Sequence, residues 1–137
     1  VGSEMCIRDR SGRLHGAPGR TPVNAAAYRA LPHPAESKLN TTIGAVLTDA
    51  PVTTAQAQRL AMTAHDGIAR AVRPAHSPLD GDTIFALSTT KRPADLSTQV
   101  VTQLCAAAAD AVEEAIVNAV TAADPGLGLS AYRDLLD

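Results

Sequence analysis

Hydrophobic positions between residues 41 and 124 fall into four segments of two alternating types. Residues 41–48 (TTIGAVLT) and 83–89 (TIFALST) are short, contain β-branched residues and are apolar at both odd and even positions. That pattern is typical of strands buried on both faces. Each is followed by a longer segment whose apolar residues recur every three or four positions, as in an amphipathic helix. The sequence therefore predicts the order strand, helix, strand, helix.

The first predicted helix has clear start and stop signals. Thr53 precedes it and Gln56 follows three residues later, which is the spacing of a capping box. Pro74 ends it, because proline cannot donate a helical hydrogen bond. Its apolar stripe consists of Leu60, Ala64, Ile68 and Ala71. Gly67 lies inside this helix, where glycine costs about 1 kcal/mol relative to alanine. We expect it to allow close packing of the helix on the sheet.

The second predicted helix is longer and rich in alanine. Asp95 or Ser97 caps it, and residues 124–126 (Asp-Pro-Gly) end it. Residues 130–136 predict a short final helix. Two strands alone make a marginal sheet, so this unit is expected to be part of a larger one.

Residues 1–40 differ from the rest of the chain in composition and charge. They carry six basic and three acidic side chains, whereas residues 41–137 carry six basic and eleven acidic ones. Glycine and proline interrupt residues 11–40, which predicts a linker with one helical turn at residues 24–30. Residues 1–10 (VGSEMCIRDR) resemble the translation of a sequencing adapter and are set aside as foreign to the fold.

Composition excludes several classes of protein. Aromatic residues make up 2% and the net charge is −2, which argues against stacking or electrostatic binding of nucleic acids. Cys6 and Cys105 are too few for a disulfide framework or a multi-cysteine zinc site. No run approaches the roughly 18 apolar residues of a membrane span. The histidines, which are His15, His33, His65 and His76, have no metal-ligand spacing, so no metal and no cofactor are expected. The compartment stays open, with the cytoplasm favoured.

Two short motifs could carry chemistry. Thr41 starts a strand directly after Asn40 and a polar linker, and a threonine that becomes an N-terminus can use its own α-amino group as a base. The alternative is an ordinary strand opening. Asp80-Gly81-Asp82 precedes the second strand, and carboxylates two residues apart share one face of a strand. The alternative is a polar turn with glycine at a special dihedral angle.

Three motifs in order carry a resemblance to a known family. Residues 40–44 read NTTIG, residues 64–70 read AHDGIAR, and residues 80–87 read DGDTIFAL. The run 40–87 resembles the DmpA-type aminopeptidase and nylon-oligomer (6-aminohexanoate-oligomer) hydrolase family, most of all its nylon-oligomer hydrolase branch. The aminopeptidase branch has Ser as nucleophile and Ser-Gly-Glu in place of Asp-Gly-Asp, which argues against a strict β-peptide aminopeptidase.

The resemblance implies a mechanism and a site. Family members are N-terminal-nucleophile hydrolases, made as one inactive precursor that cuts itself into an α and a β chain. The scissile bond would be Asn40–Thr41, with Thr41 as the nucleophile and Asp80 and Asp82 in support. Residues 11–40 would end the α-chain region, and residues 41–137 would be the β-chain region. The family's α-chain lysine and asparagine would lie upstream of this sequence, so residues 1–137 alone are expected to be inactive.

The resemblance also implies a fold and partners. The fold class is α/β (α+β), as part of a four-layer αββα sandwich of the DmpA and ornithine-acetyltransferase type. Peptides or other amides would be the substrates, the missing α-chain region would be a partner, and a homo-oligomer is expected. Acyl transfer of the ornithine-acetyltransferase type and a non-catalytic α/β fragment are the alternatives.

Overall fold

A computed structural model describes residues 8–9, 11–31 and 41–136. The prediction for Asn40 falls outside the described residues, as do most of those for 1–10 and for 32–39. The predicted order of strand, helix, strand and helix is confirmed. The elements are α1 (Ala25–Arg29), β1 (Ile43–Thr48), α2 (Thr54–Ala71), β2 (Thr83–Ser88), α3 (Thr98–Ala122) and a 3₁₀ helix (Tyr132–Leu135).

Strands β1 and β2 form a two-stranded parallel sheet. Ile43 is paired with Thr83, and the register continues to Thr48 and Ser88. Parallel neighbours need a crossover connection, and α2 supplies it. Because the side chains of a strand alternate between its faces, one face of this sheet packs towards the helices and the other is open.

The open face of the sheet corrects one prediction. Its large apolar side chains remain exposed: Ile43 at 72%, Leu47 at 69%, Phe85 at 56% and Leu87 at 52%. The prediction that both strands are buried on both faces is wrong for the described part of the chain, because helices cover one face only. The term open sheet face refers below to these four side chains.

The core lies between α2, α3 and the covered face of the sheet. The predicted stripe of α2 is confirmed, since Leu60, Ala64, Ile68 and Ala71 are all at most 1% exposed. Gly67 faces α3 rather than the sheet, which corrects the expected reason for it. A Cβ there would overlap the Ala109 carbonyl oxygen and lie 2.8 Å from the Val112 Cβ.

The caps of the two long helices follow the sequence closely. The Thr53 hydroxyl accepts the Gln56 N–H, and the Gln56 side chain accepts the Thr53 N–H in return, which completes the capping box. Ser97, and not Asp95, caps α3 through the Val100 N–H. Asp95 instead accepts a hydrogen bond from the Gln56 side chain at 2.9 Å, which ties the start of α2 to the approach to α3.

Residues 11–31 are largely irregular but pack on the rest of the described chain. The predicted helical turn is confirmed as α1, with the Asn24 side chain as the cap. Leu14 and Val23 are buried at 4% and 5% exposure. The Tyr132 hydroxyl donates to the Thr21 carbonyl, so this segment lies against the 3₁₀ helix at the other end of the chain.

Candidate active site

Thr41 lies at the N-terminal end of the strand pair, two residues before β1 begins. The Thr83 N–H donates to the Thr42 carbonyl at 2.8 Å, so the strand pairing extends back past the start of β1. The Thr41 side chain consequently lies against Gly81: a Cβ at Gly81 would be 2.8 Å from the Thr41 Oγ1. The structure therefore brings Thr41 and the predicted Asp-Gly-Asp motif to one place.

Asp82 is a buried carboxylate with both oxygens engaged. Its side chain is 3% exposed. Oδ1 accepts the Thr42 N–H at 2.9 Å, and Oδ2 lies 2.8 Å from the His76 Nδ1. Because a carboxylate can only accept, the His76 Nδ1 is the donor in this contact. Asp82 thus connects β1 with the loop that precedes β2.

Asp80 has a different environment. Its Oδ2 accepts the Ser77 N–H at 2.6 Å, and its own N–H donates to the Ser77 carbonyl at 2.9 Å, which closes a short turn. Its Oδ1 is buried and has no hydrogen-bond partner among the described residues. A buried carboxylate oxygen without a donor is costly, so this atom is suited to accept a hydrogen bond from a group that arrives during the reaction.

The orientation of these carboxylates differs from the expected one. The prediction that i, i+2 spacing on a strand directs both to one face is wrong, because both residues precede β2, which begins at Thr83. Loop hydrogen bonds orient them instead: Asp80 turns to Ser77, and Asp82 turns to Thr42.

His76 is a site residue that the sequence analysis missed. It lies in the irregular segment between α2 and β2, where no periodicity indicates which way a side chain points. Its φ is +58°, a left-handed backbone conformation that non-glycine residues seldom adopt. The adjacent pair His65 and Asp66 forms no dyad, since Asp66 is exposed on α2 while the half-buried His65 ring faces His76 at 5.1 Å.

A groove of about 870 Å³ lies elsewhere on the surface, at the N-terminal ends of α2 and α3. Its lining includes Gln56, Arg59, Asp95 and Cys105 but neither Thr41 nor the two site carboxylates. In the described ranges, no three His, Cys, Asp or Glu side chains are grouped so that they could hold a metal ion. A search of the same ranges finds no helix with the length and hydropathy needed to cross a membrane.

Charged side chains also join α2 and α3. Arg70 donates to Asp110 at 2.5 Å and lies 3.6 Å from Glu113. The hydrogen bond to Asp110 is the main reason that the pKa of the Arg70 guanidinium is raised above its ordinary value. The pair is exposed, so it contributes little to stability.

Comparison with known proteins gives three findings. The profile of Peptidase family S58 matches residues 9–132. An uncharacterized aminopeptidase of Mycobacterium tuberculosis (strain ATCC 25618 / H37Rv) is 44% identical over 130 residues, which is 87% of this chain and 38% of that protein. A 6-aminohexanoate-oligomer endohydrolase of Paenarthrobacter ureafaciens is 36% identical over 50 residues, which is 36% of this chain and 14% of that protein.

A solved structure agrees with the sequence relatives. The β-aminopeptidase of a Burkholderia species is 28% identical and superimposes with a TM-score of 0.54, covering 82% of this chain and 33% of that one. The chain thus spans well under half the length of the relatives that it matches. The family resemblance deduced from the three motifs is confirmed.

Proposed function

The chain belongs to peptidase family S58, and from that membership we propose that it carries the nucleophile region of a self-processing amide hydrolase. The observation that carries the proposal is that the Thr41 hydroxyl lies against Gly81. The two residues that flank Gly81 in the sequence are carboxylates, and one of them, Asp80, has a buried oxygen without a hydrogen-bond partner among the described residues. Thr41 is the nucleophile, and Asp80 and Asp82 support it. The named relatives are aminopeptidases and an amide-bond hydrolase, so acyl transfer is not favoured.

Self-processing uses the Thr41 hydroxyl first. Its Oγ attacks the Asn40 carbonyl carbon, and the bond to the Thr41 nitrogen breaks as that nitrogen takes up the hydroxyl proton. Water then hydrolyses the resulting ester, which leaves a carboxylate on Asn40 and a free α-amino group on Thr41. The chain thereby creates its own base.

Substrate hydrolysis repeats this chemistry on another amide. The free α-amino group accepts the proton of the Thr41 Oγ while the Oγ attacks the substrate carbonyl. The tetrahedral intermediate collapses, the substrate amine leaves with the proton, and an ester on Thr41 remains. Water hydrolyses this ester and regenerates the hydroxyl. The substrates are peptides or other amides with an accessible amine end.

The two carboxylates support the amine in different ways. The open Oδ1 of Asp80 accepts a hydrogen bond from the new ammonium group, since a nearby carboxylate favours the charged form of an amine. Asp82 holds the Thr42 N–H and so fixes the residue that follows the nucleophile. In this way one carboxylate meets the amine and the other holds the backbone.

The open sheet face supports the larger architecture. Large exposed apolar patches on a soluble protein mark surfaces that another element covers. We infer that the remainder of the longer protein adds a second sheet and completes a four-layer αββα sandwich. The α-chain region then supplies the rest of the site, and the processed subunits associate as a homo-oligomer that needs no cofactor.

Mass spectrometry of the full-length protein tests the proposal. The wild type is expected to yield a chain whose N-terminus is Thr41 and to hydrolyse an amino-acid amide. Thr41→Ser keeps a hydroxyl and still cuts, whereas Thr41→Ala stays intact and inactive. Cleavage of the alanine variant at the same bond would contradict the proposal.

A further inference from the structure

We infer that His76 is a positioning residue for the Thr41 site, acting through Asp82. The inference rests on the proposed function and assigns a new part of the same site. His76 lies outside all three motifs of the family resemblance in sequence, yet the fold places its ring directly on the buried carboxylate of Asp82 in the third motif.

The first support is a series of hydrogen bonds from the loop to Thr42, the residue after the nucleophile. His76 Nδ1 meets Asp82 Oδ2 at 2.8 Å, and Asp82 Oδ1 meets the Thr42 N–H at 2.9 Å. Thr42 is bonded covalently to Thr41. A carboxylate held at both oxygens cannot rotate, so His76 fixes the direction in which Asp82 holds the strand.

The second support is the way the ring itself is held. His76 Nε2 lies 3.3 Å from the carbonyl oxygen of His65 on α2, and the two imidazole rings are 5.1 Å apart. The ring is 38% exposed while the carboxylate is 3% exposed. His76 therefore covers Asp82 from the solvent side and ties it to a rigid helix.

The third support is the backbone of His76. A φ of +58° is seldom adopted outside glycine, with asparagine, aspartate and histidine the most frequent exceptions. Unusual backbone conformations persist where surrounding contacts hold them, and they cluster at functional sites. The two ring contacts are such a restraint, and they turn the side chain back towards Asp82.

The consequence for catalysis is a displacement rather than a loss of chemistry. Without the His76 donor, the Asp82 side chain can rotate and release the Thr42 N–H, and the Thr41 hydroxyl shifts. Small misplacements of a reacting group cost up to about 100-fold in rate. We therefore expect kcat to fall by roughly 10- to 100-fold with little change in KM, because substrate contacts are untouched.

Three variants of the full-length protein test this role. His76→Ala removes the donor and should show the loss of kcat together with slower appearance of the Thr41 N-terminus. His76→Asn keeps an N–H at the Nδ1 position and tolerates the left-handed backbone, so it should recover activity to within about threefold of wild type. Asp66→Asn is the control, since it removes a charge next to His65 at an exposed position of α2, and it should behave like wild type.

The outcomes separate the inference from the proposed function. A wild type that neither cuts itself nor hydrolyses amides contradicts the proposed function. If the wild type cleaves itself and hydrolyses amides, and His76→Ala is equally active, the role of His76 is contradicted while the proposed function stands. A His76→Asn variant as impaired as His76→Ala contradicts that role as well.

Nitrogen-15 NMR of the ring gives a readout that does not depend on turnover. The Nδ1 of His76 is expected to carry a proton, because the Asp82 oxygen requires a donor there. A ring protonated on Nε2 alone would overturn the inference.

Discussion

The two carboxylates of the Asp-Gly-Asp motif have unequal surroundings, although their chemistry is the same. Both oxygens of Asp82 accept hydrogen bonds, from Thr42 and His76, whereas Asp80 has one buried oxygen without a partner among the described residues. A carboxylate with both oxygens hydrogen-bonded contributes to structure as well as to the site. A carboxylate with an open oxygen is available to a reacting group.

We predict that asparagine substitutions separate these roles. Asp80→Asn keeps size and should lower kcat by about 100-fold or more, in the range of positioned acid–base groups, with little change in melting temperature. In Asp82→Asn, one acceptor oxygen becomes an NH₂ group that faces either the Thr42 N–H or the His76 Nδ1, both of which are donors. The substitution should therefore lower activity and also destabilise the protein by about 1–3 kcal/mol. Kinetics and thermal melts of both full-length variants check this. Equal melting temperatures for the two variants would contradict the assignment.

Gly81 is predicted to be needed for the position of the Thr41 hydroxyl. In Gly81→Ala the new Cβ would lie 2.8 Å from Oγ1, so the Thr41 side chain must rotate away. We expect self-cleavage to slow at least tenfold, which a time course of the Thr41 N-terminus by mass spectrometry measures. Gly126→Ala is the matched control, because a Cβ there meets nothing within 4 Å. Equal cleavage rates for both variants would show that Gly81 plays no part.

The sequence could indicate Thr41 and the Asp-Gly-Asp motif as candidate site residues because each belongs to a short motif of contiguous residues. The sequence could not indicate His76, because its contact with Asp82 depends on a left-handed backbone conformation in a segment without hydrophobic periodicity. Nor could it separate Asp80 from Asp82, because spacing describes a regular strand and these side chains lie in a loop.

Helices and strands were the most predictable level of the molecule. The capping box and the stripe of α2 follow from local spacing, so they appear where expected. The burial of the strands could not be predicted in the same way. A strand that is apolar at both odd and even positions does not indicate which of its faces the helices cover. Gly67 shows the same limit: its sequence position indicates close packing but does not identify the partner helix.

Gly67→Ala is predicted to destabilise the protein in spite of a gain in helix propensity. Alanine gains about 1 kcal/mol in a helix, but the Cβ would overlap the backbone of α3, and overpacking of this kind costs about 1–3 kcal/mol. The midpoint of denaturant unfolding of the full-length protein should therefore fall. Met62→Ala, at an exposed position of α2, should change stability by less than about 0.5 kcal/mol. A Gly67→Ala protein more stable than wild type would disprove the close contact.

At the scale of the whole molecule, the open sheet face decides how residues 1–137 behave alone. We predict that this piece self-associates and has no hydrolase activity. Leu47→Thr with Phe85→Thr keeps strand propensity and should reduce the association, as measured by light scattering. In the full-length protein the same pair should cost several kcal/mol, because each large side chain contributes about 1.5–3 kcal/mol when buried.

Leu129→Thr is the control for that experiment, since Leu129 is 66% exposed but lies outside the sheet. It should alter neither the association of residues 1–137 nor the stability of the full-length protein. Full-length stability unchanged by the double substitution would mean that nothing covers the open sheet face.

The hydrogen bond from Thr42 to Asp82 has a consequence for the order of events in the proposed self-processing. The amide that Asp82 holds belongs to the peptide bond after Thr41, not to the Asn40–Thr41 bond that we propose is cut. It is already formed in the unbroken chain, and the proposed cleavage would remove neither partner. That cleavage would therefore change the chemistry of one nitrogen within a preorganised frame. The proposal thus predicts that precursor and processed chain share one architecture at this site, and that the chain break supplies only the base.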